Sequence, residues 1–257
     1  MKALTISEKN NQDILEIFEY ILKTYRPKVA TILGFKEFCL KKFRHCKQKS
    51  SKELISFIPH KFRSKVFSIS EFSELKVYWH LNVPIILVPK QTSAKSFGKK
   101  LGGIYCSGGI FLAESQETQL KQALTHEFIH CFLEYLFLSE EEYDESINHH
   151  PLENLYTSIR HETIAYSLSN WSNLKTASLQ ELTYYLTGQN EAQIQICFAT
   201  QTQMFIKRYL IYAKSQITSN LNNRQNLITN CLRTPDLCQW LPRNKISNNQ
   251  FKLFNLF

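Results

Sequence analysis

Apolar residues recur at helical spacing through residues 12–25, where Ile14, Leu15, Ile17, Phe18, Ile21 and Leu22 alternate with polar positions. A period of 3.6 residues gathers such positions on one face of a helix, and Pro27 just beyond is a common stop. A second helical stretch is expected over residues 30–42. The pattern changes near residue 75. Val77, Tyr78 and Trp79, then Ile85, Ile86, Leu87 and Val88 after Pro84, are β-branched, aromatic and apolar. That is strand chemistry, and the second run is short enough to be a buried strand. Residues 102–105 and 110–112 flank Cys106, Ser107, Gly108 and Gly109, which predicts two short strands around a glycine turn. A long helix is expected over residues 116–137, with Ser115 as its N-cap and Glu117 as an acid in its first turn. Pro151 is a good first residue for the next helix, over residues 152–171. Helical stretches follow over residues 179–186 and 191–217. From residue 220 the chain is rich in Asn, Gln and Lys, with Pro235 and Pro242, and reads as loosely ordered.

The expected fold is α+β, mostly helical, with a small mixed or antiparallel sheet packed on the helix over residues 116–137. Three regions are expected: a helical N-terminal region over residues 1–70, a core over residues 71–218 and a polar tail over residues 219–257. Composition supports the helical bias. Only 7 glycines and 7 prolines in 257 residues disfavour a turn-rich all-β fold, and 43% hydrophobic residues suffice for a core.

Charge adds a feature of its own. Between residues 36 and 65 stand Lys36, Lys41, Lys42, Arg44, Lys47, Lys49, Lys52, Lys61, Arg63 and Lys65, against only Glu37 and Glu53. This segment carries almost all of the formal +9. It is either a solvated basic face or a surface for a polyanion, nucleic acid or acidic membrane. Phe43, Phe57, Phe62 and Phe67 interleave with the bases, as in some single-strand binders, though their spacing also suits a core face. The seven cysteines, Cys39, Cys46, Cys106, Cys131, Cys197, Cys231 and Cys238, form no Cys-x-x-Cys pair. A disulfide framework is not expected, and a reducing compartment fits better. No apolar run reaches the length of a membrane span, and the first residues do not read as a secretory signal. The expected location is the cytoplasm, although delivery by a dedicated secretion machine would leave no mark in the sequence.

The chemistry concentrates in His126-Glu127-Phe128-Ile129-His130. Histidines four residues apart on a helix lie about 40° apart on one face, so both imidazoles can reach one metal ion. Glu127 is rotated by about 100° from His126, beside the metal and not on it. There a carboxylate can take a proton from a metal-activated water and pass it to a leaving amine. Leu120, Ala123, Leu124, Phe128, Ile129, Phe132 and Leu133 make the surrounding helix apolar nearly all round. Buried imidazoles and a carboxylate need partners there, and a metal supplies them economically. A hydrogen-bonded pair of core histidines is the alternative. A catalytic zinc needs a third protein ligand and an open position. In the next helix Leu155, Ile159, Glu162 and Tyr166 share one face, which puts a charge in the middle of an apolar stripe. Glu162 is therefore the expected third ligand. His149, His150 and His161 remain alternatives, as does a Glu162 paired with a nearby base. Cys131 reads as a packed thiol. Tyr166, Tyr156, Tyr184, Tyr185 and His161 are available to stabilise an oxyanion.

These residues resemble the zincin superfamily of HExxH metallopeptidases, and the Glu162 option resembles its gluzincin branch. Leu133 and Leu136 stand where the metzincin continuation has glycine and histidine. The similarity runs roughly over residues 75 to 175 and includes the order strand, glycine turn, strand, HExxH helix and second helix with Glu. It implies Zn2+ held by His126, His130 and Glu162, with Glu127 as general base of a peptidase. It also implies that an extended peptide or protein substrate pairs with a strand lining the cleft, here residues 110–112 or 104–105. Two other functions stay open: a zincin-fold binding protein without turnover, and a zinc protease recruited to nucleic acid through the basic N-terminal region.

Overall fold

The structure is a computed structural model and describes residues 8–25, 30–58, 75, 77–88, 102–113, 116–138, 151–169 and 177–233. The chain is α+β: mostly helical, with one four-stranded mixed sheet. Its described helices are α1 (Glu8–Tyr25), α2 (Ile32–Lys42), α3 (Ser51–Ile55), α4 (Glu117–Leu138), α5 (Pro151–Leu168), α6 (Leu179–Thr187), α7 (Glu191–Cys197), α8 (Thr200–Ile217) and α9 (Leu221–Arg233). The strands are β1 (Val77–His80), β2 (Val83–Val88), β3 (Gly103–Cys106) and β4 (Gly109–Ala113). Among the described residues no helix is long and apolar enough to cross a membrane. The chain divides into two compact units, Met1–His149 with Ile164–Trp171, and His150–Thr163 with Ser172–Phe257. Helices α1 and α2 count with the sheet and α4 in the first unit.

The reason is aromatic packing. Phe132 of α4 stacks on Phe18 of α1 with ring centroids 4.1 Å apart, and Phe35 of α2 meets both rings edge-on at 5.1 and 5.2 Å. All three side chains are fully buried. The apolar faces read from α1 and α2 thus have their partner on α4. Phe43 is buried as well, so it belongs to the core and not to a stacking platform. Phe62 and Phe67 lie outside the described residues.

The sheet order is β1-β2-β4-β3; β1 is antiparallel to β2, β2 parallel to β4, and β4 antiparallel to β3. The two central strands carry the apolar runs, and Ile85, Ile86, Ile110, Phe111 and Leu112 have no exposed surface. Helix α4 lies against β3 and β4. Gly109 has φ +113°, and a Cβ there would stand 2.3 Å from the Pro84 carbonyl oxygen. Only glycine fits the tight β3–β4 turn so close to β2. The β1–β2 turn uses Leu81 and Asn82, both at positive φ, the geometry that suits a two-residue hairpin. Asn82 donates to the Lys36 carbonyl at 3.1 Å, tying the turn to α2.

In the second unit, capping boxes start α6 at Ser178 with Glu181 and α7 at Asn190 with Gln193. Tyr209 of α8 is fully buried and its hydroxyl lies 2.9 Å from that of Thr163 on α5. Arg160 of α5 donates to the carbonyls of Cys231 and Leu232 at the end of α9. Two expectations are corrected here. The single helix over residues 191–217 is broken at Phe198, whose backbone is extended (φ −131°, ψ 145°) and whose carbonyl accepts from the Gln203 side chain at 2.7 Å. The stretch after residue 220 is not loose as far as Arg233: Asn220 caps α9 through Asn223 N–H at 3.0 Å, and Leu227, Ile228, Cys231 and Leu232 are buried.

Candidate metal centre

Helix α4 forms because residues 117–138 contain no glycine or proline and are apolar on almost every face. His126 and Glu127 sit in its middle with only 5% and 7% of their surface exposed. His130 follows one turn on and is half-buried. The Nε2 atoms of His126 and His130 are 3.1 Å apart. Two nitrogens bound to one tetrahedral zinc at ordinary bond lengths stand roughly 3.3 Å apart, so this pair has the spacing of a shared metal. An N–H···N hydrogen bond would use the same spacing. What distinguishes the two is a carboxylate: ligand atoms of His126, His130 and Glu162 all lie within 4.8 Å of one another. Glu162 stands on α5, an unbroken helix whose residues from Ile164 on count with the sheet and α4. Two imidazoles and a carboxylate are a donor set that suits zinc.

Of the alternatives for the third ligand, His161 is not part of this group. His149 and His150 lie outside the described residues. Tyr166, one turn beyond Glu162, packs its ring on that of His126 with centroids 4.4 Å apart. Tyr184 and Tyr185 belong to α6, and the Tyr156 side chain lies outside the described residues.

Three further residues carry no sequence signal for a role here. Ser169, just past α5, has its Oγ 3.5 Å from His126 Nδ1 and donates to the Ala165 carbonyl at 2.6 Å. The donated proton fixes the hydroxyl's lone pairs toward the imidazole. The hydroxyl can then accept from Nδ1–H, the tautomer that leaves the lone pair of His126 on Nε2, the nitrogen facing His130. If the group holds zinc, replacing Ser169 by alanine weakens its binding about 10- to 100-fold. Competition against a chromophoric chelator measures this, and unchanged affinity would remove Ser169 from the account.

Gly103 is the second. A Cβ at Gly103 would stand 3.1 Å from Glu127 Cγ and 2.9 Å from Leu112 Cδ2. The bare backbone of β3 therefore leaves the room in which the Glu127 side chain lies. The third is Glu134, one turn past His130. It accepts from the Tyr105 hydroxyl at 2.6 Å and pairs with Lys42, joining β3, α4 and α2.

The strand expected along a cleft is narrowed by the sheet. Residues 110–112 lie in β4, which is paired on both sides, so they cannot take up an extended peptide. Residues 104–105 lie in β3, which pairs only with β4 among the described residues. Cys106 at the end of β3 is kept protonated: burial, with the Glu127 charge adding to it, pushes the thiol up to about 11. Cys131 is a packed thiol, 3.9 Å from Cys39 on α2, and its contact together with burial holds Cys39 far above the ordinary thiol range.

No protein-family model, curated protein or solved structure matches the chain.

Proposed function

We propose that the chain is a zinc-dependent peptidase that uses Glu127 as general base. The observation that carries the reading is the convergence of His126, His130 and Glu162 within 4.8 Å, with an adjoining carboxylate on the same helix. Bound by these three side chains, zinc supplies Lewis acidity: it acidifies a water and polarises a carbonyl. Glu127 accepts the proton of the attacking water and returns it to the leaving amine. Its burial against Gly103 limits its motion, so the base stays oriented between the two steps. The outer strand β3 supports a peptide substrate over other acyl compounds, because its second backbone edge, which has no strand partner among the described residues, can pair with an extended chain. Tyr166, packed on the His126 ring, is the tyrosine best supported as an oxyanion donor. The free thiols of the described cysteines favour a reducing compartment such as the cytoplasm.

The intact Glu127 favours an enzyme over a binding protein of the same shape, since metal binding alone has no use for it. The test is hydrolysis of a mixed library of quenched fluorescent peptides by zinc-loaded protein and by its Glu127→Gln variant. Turnover by the first and not the second supports the reading. Equal signals from both would overturn it.

A further inference from the structure

We infer that the outer face of α2, together with Trp79, docks on an anionic lipid surface. The inner face of α2 is consumed by the core through Phe35, Cys39 and Phe43. An ordinary surface helix then turns a polar face outward. This one adds two leucines to that face: Leu33 is 68% and Leu40 43% exposed, beside the exposed charges of Lys36, Glu37 and Lys41. Seven residues apart, they lie on one stripe of the helix, with Lys36 between them. The β1–β2 turn is held to this stripe by the Asn82 bond to the Lys36 carbonyl. The same hairpin presents Trp79, 41% exposed, with the Lys47 ammonium 6.0 Å from its ring centroid. Leu33, Leu40 and Trp79 are the three large hydrophobic residues exposed in the first unit, among the described residues. Asn82 joins the hairpin that carries Trp79 to the helix that carries the two leucines.

Charge says what covers them. Residues 30–58 carry seven bases and two acids. Lys42 is taken up by Glu134 and Lys49 by Glu53. Lys36, Lys41, Arg44, Lys47 and Lys52 are exposed and make no ion pair among the described residues. Exposed leucines and a tryptophan set among lysines and arginine match the boundary of an acidic bilayer, where apolar side chains enter the headgroup region and bases meet phosphate. A single-stranded nucleic acid fits less well. Phe43 is buried, and Phe57 is half-buried against the His45 ring and Lys49. Leucine also offers no face on which a base stacks. The contact is peripheral and independent of the metal centre.

The test is cosedimentation of the full chain with phosphatidylcholine vesicles containing roughly one third phosphatidylserine, against vesicles of phosphatidylcholine alone. Binding to the first and not the second is expected, falling as salt rises. Lys36→Glu, Lys41→Glu and Arg44→Glu together should lower partitioning at least ~100-fold, at about fivefold or more per base. Leu33→Ser with Leu40→Ser should lower it about tenfold with the charge unchanged. All five positions are exposed, so thermal unfolding midpoints of both variants should match wild type, which separates lost docking from lost fold. Absence of binding to the acidic vesicles would overturn the inference, as would full binding by the leucine variant. Tighter binding of a single-stranded oligonucleotide by wild type and leucine variant alike would also overturn it, and would make the face a nucleic-acid surface.

Discussion

Glu127→Gln is expected to retain bound metal while lowering kcat for peptide hydrolysis by about 10²–10⁴-fold. The amide is isosteric with the carboxylate, so it can occupy the same space against Gly103 without disturbing α4. It cannot accept the proton of an attacking water. His126 and His130 flank it on the helix and keep their positions, because they are held by α4 itself and, for His126, by contacts with Tyr166 and Ser169. The separation of metal content from turnover is the informative part. A variant that loses both would make Glu127 a structural residue, and one that keeps both would assign the proton transfer elsewhere.

The largest expected effect on stability is at Phe132. Its ring is fully buried, stacked on Phe18 and edge-on to Phe35. Truncation to alanine should cost about 3–5 kcal/mol, the transfer free energy of the ring plus the cavity left between three helices. Urea unfolding followed by far-ultraviolet circular dichroism measures this. A loss below ~1 kcal/mol would mean that α1 and α2 do not form one core with α4. Phe132 lies two residues beyond His130, so the same variant probes whether a well-packed helix is needed to hold the two imidazoles at their spacing.

Much of this architecture is legible in the sequence for physical reasons. Helix α4 is readable because residues 117–138 lack breakers, and α5 because Pro151 suits a first turn. Glu162 stands out as a charge in an apolar stripe, and the structure brings it to the two histidines. Interactions without a local pattern are not legible. The parallel pairing of β2 with β4 depends on a register between distant segments. The β1–β2 turn is made by Leu81 and Asn82 at positive φ, with no glycine to announce it. The break at Phe198 contains neither glycine nor proline, and arises where the Gln203 side chain takes over a backbone carbonyl. Helix α9 was masked by its Asn and Gln content, although Leu227, Ile228, Cys231 and Leu232 keep helical spacing. Ser169 and Gly103 act through proximity alone, one by a hydrogen bond and the other by the side chain it lacks.

The central claim is that His126, His130 and Glu162 hold a divalent metal. The most direct measurement is elemental mass spectrometry of metal bound to wild type, His126→Ala and Glu162→Ala, each equilibrated with limiting zinc and desalted. The account predicts stoichiometric zinc in wild type and its loss in both variants, with unfolding midpoints checked to exclude collapse of the fold. Zinc retained in Glu162→Ala would remove Glu162 as a ligand, and no metal in wild type would contradict the site altogether.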